Sequence, residues 1–531
     1  MRMGQKKLHL FDLTMIVVSL VIGMGIFRTP VVVAAKAGTP FIFFMAWLIG
    51  GLVALCGALT YAEIGSRYPV TGGYYKIFSY GYHPSLAFAV NCIILVSNAA
   101  SAAIVAVIGS EYIGYFFYKA PPPEIFKQGV TIGAVAIFYV INLLGLKMSS
   151  RVQNCLTLIK ITLIILLLLS ITGHHPVSII HNHPTTINSS DAHLSRVTHP
   201  SPEIHPSPEI HPTPEIHPTP VTGTTDSPAR GFLNFLKALG VGLIAVSFTY
   251  GGYQQTINFG GEVKEPSRIL PRGISYGIMI IIALYLSINF VYTRVIGFEN
   301  LKTADSIAAI LMNHLFGPIG ENILRILMFL SVLAYVNVLM MSNPRVMFAM
   351  SEEGILPSPF KFKTRRHDVI LWSLTAFSLV IIITLVFSST VEKIINYTIF
   401  LDCIGMSTSA ATIFILRRRR IGEQPAGGQG GKNAGAQGEQ LSREQGRKAA
   451  GEPEGNDSLE RSGKDAGARP DIYRMKLFPL LPLIFILAYI AVGASIILDD
   501  PRSAVYGALI FGCFFALYFV VRGIKKARMA A

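Results

Sequence analysis

Two short stretches hold the residues best suited to chemistry in this chain, and the chemistry is that of exposed backbone. The first is Val21-Ile22-Gly23-Met24-Gly25-Ile26-Phe27 and the second is Phe248-Thr249-Tyr250-Gly251-Gly252-Tyr253-Gln254. Glycine loses more conformational freedom in a helix than any other residue, so close pairs of glycines favour unwinding. An unwound segment offers the N–H groups of the half-helix that follows it to a carboxylate. Its loose carbonyls can accept from an ammonium group. Amides at one break and carbonyls at both suit a zwitterion. The same small residues also allow close packing of helices, and the glycines of the first stretch do not by themselves separate the two readings.

The elements that must position these stretches are membrane helices. Of the 531 residues 51% are hydrophobic and only 14% charged, a composition of polytopic membrane proteins. Apolar runs predict twelve spans, near 12–36, 41–65, 86–118, 128–146, 154–173, 233–260, 271–297, 318–349, 368–387, 394–416, 476–498 and 503–522. The first run is too long, and lacks the small-residue cleavage site, for a signal peptide. Lys and Arg gather in one alternating set of connections, which predicts a cytoplasmic N- and C-terminus. That bias accounts for the formal net charge of +15 without nucleic acid. The five cysteines, Cys56, Cys92, Cys155, Cys403 and Cys513, all fall in apolar runs, so no external disulfide is expected.

The breaks fall in spans one and six. Corresponding interruptions in two halves point to an inverted-repeat transporter with its site near the midplane. The implied organisation is 1–173 as the first repeat, 174–230 as an external insertion, and 231–416 as the second repeat. Residues 417–475 form a cytoplasmic loop, and 476–531 hold the last two spans and the tail. Residues 174–230 contain most of the 13 histidines and a repeated His-Pro-Ser/Thr-Pro-Glu-Ile unit from His199 to Pro220. Proline at that density forbids helix and favours an extended spacer, with weak metal binding or titration of the histidines as the alternative. Residues 421–470, rich in Gly, Gln, Glu and Arg, read as disordered.

Ionisable residues inside spans are costly and default to function. Lys160 lies about 13 Å into span five at about 1.5 Å per residue, and Asp402 lies mid-depth in span ten. An ammonium held out of water is a candidate to exchange a proton, and a permanently charged strut is the alternative. Arg28, just beyond the first break, suits a gate or an interfacial ion pair. No phosphate-binding loop, zinc-ligand spacing or nucleophile triad is present, so no enzyme and no cofactor is expected.

Four motifs in order resemble the amino acid–polyamine–organocation superfamily, and within it the L-type amino acid transporters. They are Gly23-Met24-Gly25-Ile26-Phe27 with Thr29-Pro30, and Tyr61-Ala62-Glu63-Ile64-Gly65 with Pro69, Gly72-Gly73 and Tyr75. The third is Phe248 through Pro266-Ser267-Arg268-Ile269-Leu270-Pro271. The fourth is Asn337 and Arg345 with Glu353-Gly354-Ile355-Leu356-Pro357. The resemblance implies an all-α polytopic membrane protein with twelve transmembrane helices in a LeuT-like 5+5 inverted repeat. It places a substrate carboxylate at Gly23, Met24 and Gly25, and the amino group near Val21, Ile22, Phe248 and Gly251. Phe248 would cap the site, with Tyr250 and Tyr253 beside it. Met24 stands where the family usually has a small residue, and Tyr253 where it usually has Trp. Lys160 would take the place of a sodium ion bound in sodium-coupled relatives.

The function this implies is secondary active amino acid transport by alternating access, sodium-independent, by exchange or proton-linked uptake. The expected setting is a bacterial inner membrane, with the lipid bilayer and an amino acid substrate as partners, no nucleic acid and no disulfide-linked heavy chain. A nutrient sensor on the same scaffold, with the long loop as output, is the second class of reading. A metal carrier fed by the histidine repeat is the third, and the spans lack the carboxylate or sulfur cluster it needs.

Overall fold

The computed structural model describes residues 7–118, 121–173, 239–240, 242–247, 249–304, 306–364, 367–386, 388–421, 472–499 and 501–530. The histidine repeat, the Gly/Gln-rich loop and Phe248 lie outside these residues.

The described chain is helical. The first span is two helices, α1 (Leu10–Val21) and α2 (Gly25–Ala37), bent by 44° at Ile22–Met24. There follow α3 (Pro40–Arg67), α4 (Gly73–Gly81), α5 (Pro84–Gly114), α6 (Glu124–Leu143) and α7 (Leu146–Leu169). Residues 242–247 are helical, and after the second glycine pair the chain makes a tight 3-10 turn over Tyr253–Asn258. Then come α8 (Pro266–Val295), α9 (Phe298–Leu301), α10 (Ile307–Phe316), α11 (Pro318–Glu352), α12 (Leu371–Val386), α13 (Ser388–Arg418), α14 (Leu480–Asp499) and α15 (Pro501–Ala530).

Local chemistry sets several starts. α3, α5, α8 and α11 each open on a proline, whose missing N–H and fixed φ suit the first helical position. Thr39 caps α3 by accepting from Ile42 N at 3.4 Å.

Among the described residues nine helices are long and apolar enough to cross a membrane, and α1 with α2 makes a tenth, broken span. The ninth predicted span appears as α12, of which 16 residues are described. Span six runs partly outside the described residues. Three described helices were not foreseen: α4, between spans two and three, and α9 and α10, in the connection before α11. All three are short, and α10 is apolar without being long enough to span.

α3 packs along α8, and α1 packs against α8 and α7. α5 packs with α6, α11 and α12, and α7 joins the two groups by touching both α1 and α11. One end of the bundle, the face that carries Leu8, is tied across elements. Leu8 N donates to Glu262 O at 2.9 Å and Lys264 N to Leu8 O at 3.0 Å, while Gly72 N donates to Asn258 O at 2.9 Å. Arg345 of α11 pairs with Glu262 at 2.7 Å and lies over the Phe259 ring. These bonds join the chain start, the second break and α11 on one face.

Candidate functional site

The first break is built by local backbone geometry and then held by side chains from elsewhere. α1 ends at Val21, and the ψ of 87° at the next residue, Ile22, leaves the helical region. The carbonyls this frees find donors. Lys160 Nζ of α7, fully buried, donates to Ile22 O at 2.6 Å, and the Tyr285 hydroxyl of α8 lies 3.3 Å from Val21 O. Beyond the break α2 begins without a side-chain cap, so its first-turn N–H groups are offered forward.

The second break meets the first. The Tyr285 hydroxyl also lies 3.3 Å from Thr249 O, so a single O–H serves whichever carbonyl it turns to. Tyr292, two turns along the same helix face, donates to Ile26 O at 3.4 Å. Thr249 Oγ1 donates to Thr29 Oγ1 at 2.9 Å. Gly252 sits at φ +112°, and its N–H donates to Gln254 Oε1 at 2.9 Å. A Cβ there would lie 2.4 Å from Leu20 O, so the two breaks approach as closely as backbone permits.

Between the breaks, α5 and α13 lies a cavity of about 580 Å³. Gly23, Met24 and Gly25 line one side of it, and Gly251 and Gly252 another. Asn98 and Ser101 of α5 and Gln254 and Gln255 of the 3-10 turn add polar wall. Asp402 is half-buried and lines it too, as do Tyr74, Tyr335 and Tyr489.

Of the residues marked in the sequence, Val21, Gly23, Met24, Gly25, Gly251 and Asp402 therefore come together at one cavity. Ile22 does not line it; its carbonyl faces Lys160, which is likewise set behind the wall. Tyr250 and Tyr253 do not reach the cavity. Tyr250 packs on Trp47 and Tyr285, with ring centroids 6.0 and 5.0 Å away, and Tyr253 packs on Tyr61 at 6.1 Å. The cause is the break itself, which resets helical phase so that Gln254 and Gln255 take the cavity side. Arg28 is exposed on α2.

Below Lys160 a buried polar cluster ties α1, α6, α7 and α11. Gln153 Nε2 donates to Ser19 Oγ at 2.7 Å and Ala334 O at 3.1 Å, and Asn337 Nδ2 donates to Gln153 Oε1 at 2.7 Å. Asn142 Nδ2 donates to Asn337 Oδ1 at 3.1 Å. Sequence reasoning picked out Asn337 but missed Tyr285, Tyr292, Thr249, Asn98 and Gln255. The seven-residue spacing of Tyr285 and Tyr292 on an otherwise apolar helix was the readable signal.

Residues 8–428 match the amino acid permease family. The chain belongs to that family. The permease is 28% identical over 423 residues to the serine/threonine exchanger SteT of Bacillus subtilis, covering 78% of this chain and 84% of that one. It is 24% identical over 423 residues to the human large neutral amino acids transporter small subunit 2, covering 78% and 70%. The human cystine/glutamate transporter is 22% identical over 421 residues, covering 78% and 74%. The expected superfamily and its L-type branch are thus the right ones. The permease is an integral membrane transporter of amino acids, not an enzyme.

Proposed function

We propose that the permease works by alternating access, sodium-independent, and that it exchanges amino acids or couples their uptake to protons. The carrying observation is that two glycine-broken segments face one cavity and share the Tyr285 hydroxyl. The substrate carboxylate sits at Gly23, Met24 and Gly25, on the N–H groups leading into α2, with the Gly23 N–H released from Val21 O, to which it donates at 2.8 Å. The amino group meets carbonyls of the breaks, from Val21 to Gly251, while Phe248, outside the described residues, caps the site and Arg28 gates it. Lys160 and Asp402 are the coupling groups. Ala334 O, on the α11 face where a sodium ion would need oxygen ligands, already accepts from Ser19 Oγ at 3.3 Å and from Gln153. Exchange is favoured by the relative named as an exchanger.

The same reading takes the twelve spans as a 5+5 inverted repeat followed by two more, with the domain limits given above. Its setting is a bacterial inner membrane with both termini in the cytoplasm and no disulfide-linked heavy chain. The five cysteines all lie within helices.

Purified permease in liposomes, screened with twenty labelled amino acids with and without internal substrate, tests the reading. Uptake that rises with internal amino acid, and that persists when choline replaces sodium, is the expected result. Sodium-stimulated uptake overturns the coupling assignment.

Gly25→Val should abolish measurable binding. A Cβ at Gly25 already meets Thr249 Cγ2 at 3.1 Å, and two further methyls overpack the break. Overpacking costs about 1–3 kcal/mol, up to about a hundredfold in affinity, before the blocked approach to the N–H groups is counted. Unchanged affinity by calorimetry would remove the first break from the site.

Lys160→Met keeps most of the stem and removes the donor to Ile22 O. A hydrogen bond from a charged donor is worth about 1.5–3 kcal/mol, so uptake should fall about tenfold or more. Its response to an inward proton gradient should vanish with it. A variant that is slower yet keeps the full proton response leaves Lys160 as a strut.

A further inference from the structure

The arginine run at the end of α13 divides between two directions. Arg417 turns inward, and its guanidinium shares the buried Glu63 carboxylate with Arg67, at 2.6 and 2.7 Å. Arg418, Arg419 and Arg420 are exposed. Among the described residues neither Arg418 nor Arg419 has a carboxylate to pair with. Glu63 is one anion against two cations before the outer three are counted, so this helix end carries an excess of positive charge.

The outer arginines are nonetheless placed. With Ile415, and with Gly81 at the end of α4, Arg418 and Arg419 line an open cavity of about 450 Å³. The Arg419 guanidinium lies 4.9 Å over the Tyr80 ring, a cation–π contact that holds it toward α4. A Cβ at Gly81 would stand 3.1 Å from Thr412 Cγ2 and 3.5 Å from Ile415 Cδ1, so the last turn of α4 lies close on α13.

From this cavity an apolar stripe runs back along α13. Ile415, Ala411, Thr408 and Ile404 follow one another at helical spacing, and each is at least partly uncovered, Ile404 by 41%. Thr408 Oγ1 donates to Ile404 O at 2.6 Å, so its hydroxyl is spent on its own helix. The Tyr82 hydroxyl donates to Thr408 O at 2.9 Å and borders the stripe. Thr408 and Ile404 also border the large cavity, where Leu86 of α5 and Ala508 and Phe511 of α15 join them. The stripe is thus the floor of an apolar cleft, about 21 Å from Ile404 to Arg418 at about 1.5 Å per residue.

We infer that the cavity and the cleft bind one anionic phospholipid, its phosphate on Arg418 and Arg419 and an acyl chain along Ile415, Ala411, Thr408 and Ile404. Guanidinium forks match phosphate oxygens, and basic pockets between membrane helices take such headgroups. A zwitterionic lipid brings its own cation and gains less from two arginines. A soluble phosphate meets the same donors but leaves the cleft empty. Arg418 follows directly on Arg417, so a lipid held there also steadies the helix end on which the Glu63 ion pairs depend.

The test reads the melting midpoint of the full chain in a neutral detergent as lipid is added. An arginine near an anionic headgroup is worth about fivefold in binding. Phosphatidylglycerol should therefore act at about twenty-five-fold lower concentration than phosphatidylcholine with the same chains. Glycerol 3-phosphate, which has the phosphate without the chains, should not shift the midpoint. Arg418→Gln together with Arg419→Gln should bring the two lipids to equal effect, with melting in phosphatidylcholine close to native. Arg325→Gln, at the opposite end of the bundle, should keep the preference. Ala411→Trp fills the cleft and should weaken phosphatidylglycerol about tenfold, the scale of a few methylenes left unburied. Equal action of the two lipids on the native protein overturns the inference, and so does a preference that survives in the double arginine variant. Stabilisation by glycerol 3-phosphate to the same extent as phosphatidylglycerol also overturns it, leaving an anion site with no place for a lipid chain.

Discussion

Glu63→Ala should destabilise the permease by about 3–5 kcal/mol, the usual scale for breaking a buried ion pair from one side. Glu63, at the end of α3, is fully buried. Its carboxylate accepts from Arg67 Nε at 2.7 Å, from Arg417 Nε at 2.8 Å, from Arg417 Nη2 at 2.6 Å and from Met475 N at 2.9 Å. One carboxylate thus ties α3, the end of α13 and the strand of chain leading into α14. The guanidiniums make further contacts: Arg67 Nη1 donates to Ile421 O at 3.2 Å, and Arg417 lies 3.7 Å over the Phe478 ring. Removing the carboxylate withdraws the common anion from two cations and leaves the Met475 amide without its acceptor. Glu63→Gln retains an oxygen for one donor and should fall between. Thermal unfolding in detergent orders the three proteins. A Glu63→Ala midpoint equal to the native one would show that the carboxylate does not hold this end together.

Gly252→Ala should abolish uptake, whereas Gly23→Ala should leave the fold intact. The two glycines differ in surroundings rather than in kind. At Gly252 φ is +112°, a region that L side chains rarely adopt, and the added Cβ would stand 2.4 Å from Leu20 O. The strain alone costs about 1–3 kcal/mol. The clash is with backbone, so α1 or the second break must move. Either movement separates Thr249 O from Val21 O, the two carbonyls within reach of Tyr285. At Gly23 the added Cβ would touch only the Tyr335 ring, at 3.9 Å, an ordinary contact. Uptake assays with melting curves on both variants separate the cases. A Gly252→Ala protein with native uptake would mean that the approach of the two breaks is not needed for transport.

Much of the architecture was legible in the sequence because a bilayer leaves few choices. With no water to satisfy backbone groups, a long apolar run must be a helix, and an interruption must be paid back by protein. Gly23-Met24-Gly25 and Gly251-Gly252 therefore announced their breaks, and Lys160 announced a buried ammonium with a carbonyl to serve. The donors that serve the breaks were another matter. Tyr285 and Tyr292 gain their meaning only when α8 packs beside α1, a fact about two segments more than 250 residues apart. Glu63 looked like part of a motif, and nothing local to it says that Arg417 and Met475 share its carboxylate.

The cavity wall shows where the division falls. The sequence by itself determined the class of the molecule, an apolar helical chain with two glycine breaks, since burial cost and backbone entropy act along the chain. Which side chains look into the cavity was decided by tertiary structure alone. Past Gly252 the chain turns as a tight 3-10 helix and not as a continuation of the α-helix before it, so helical phase counted from the motif points the wrong way. Tyr250 and Tyr253 consequently pack behind the wall, and Gln254 and Gln255 face the cavity. The hydrogen bonds from Gln255 to Asn98 and from Asn98 to Asn343 exist only because the 3-10 turn, α5 and α11 meet in space.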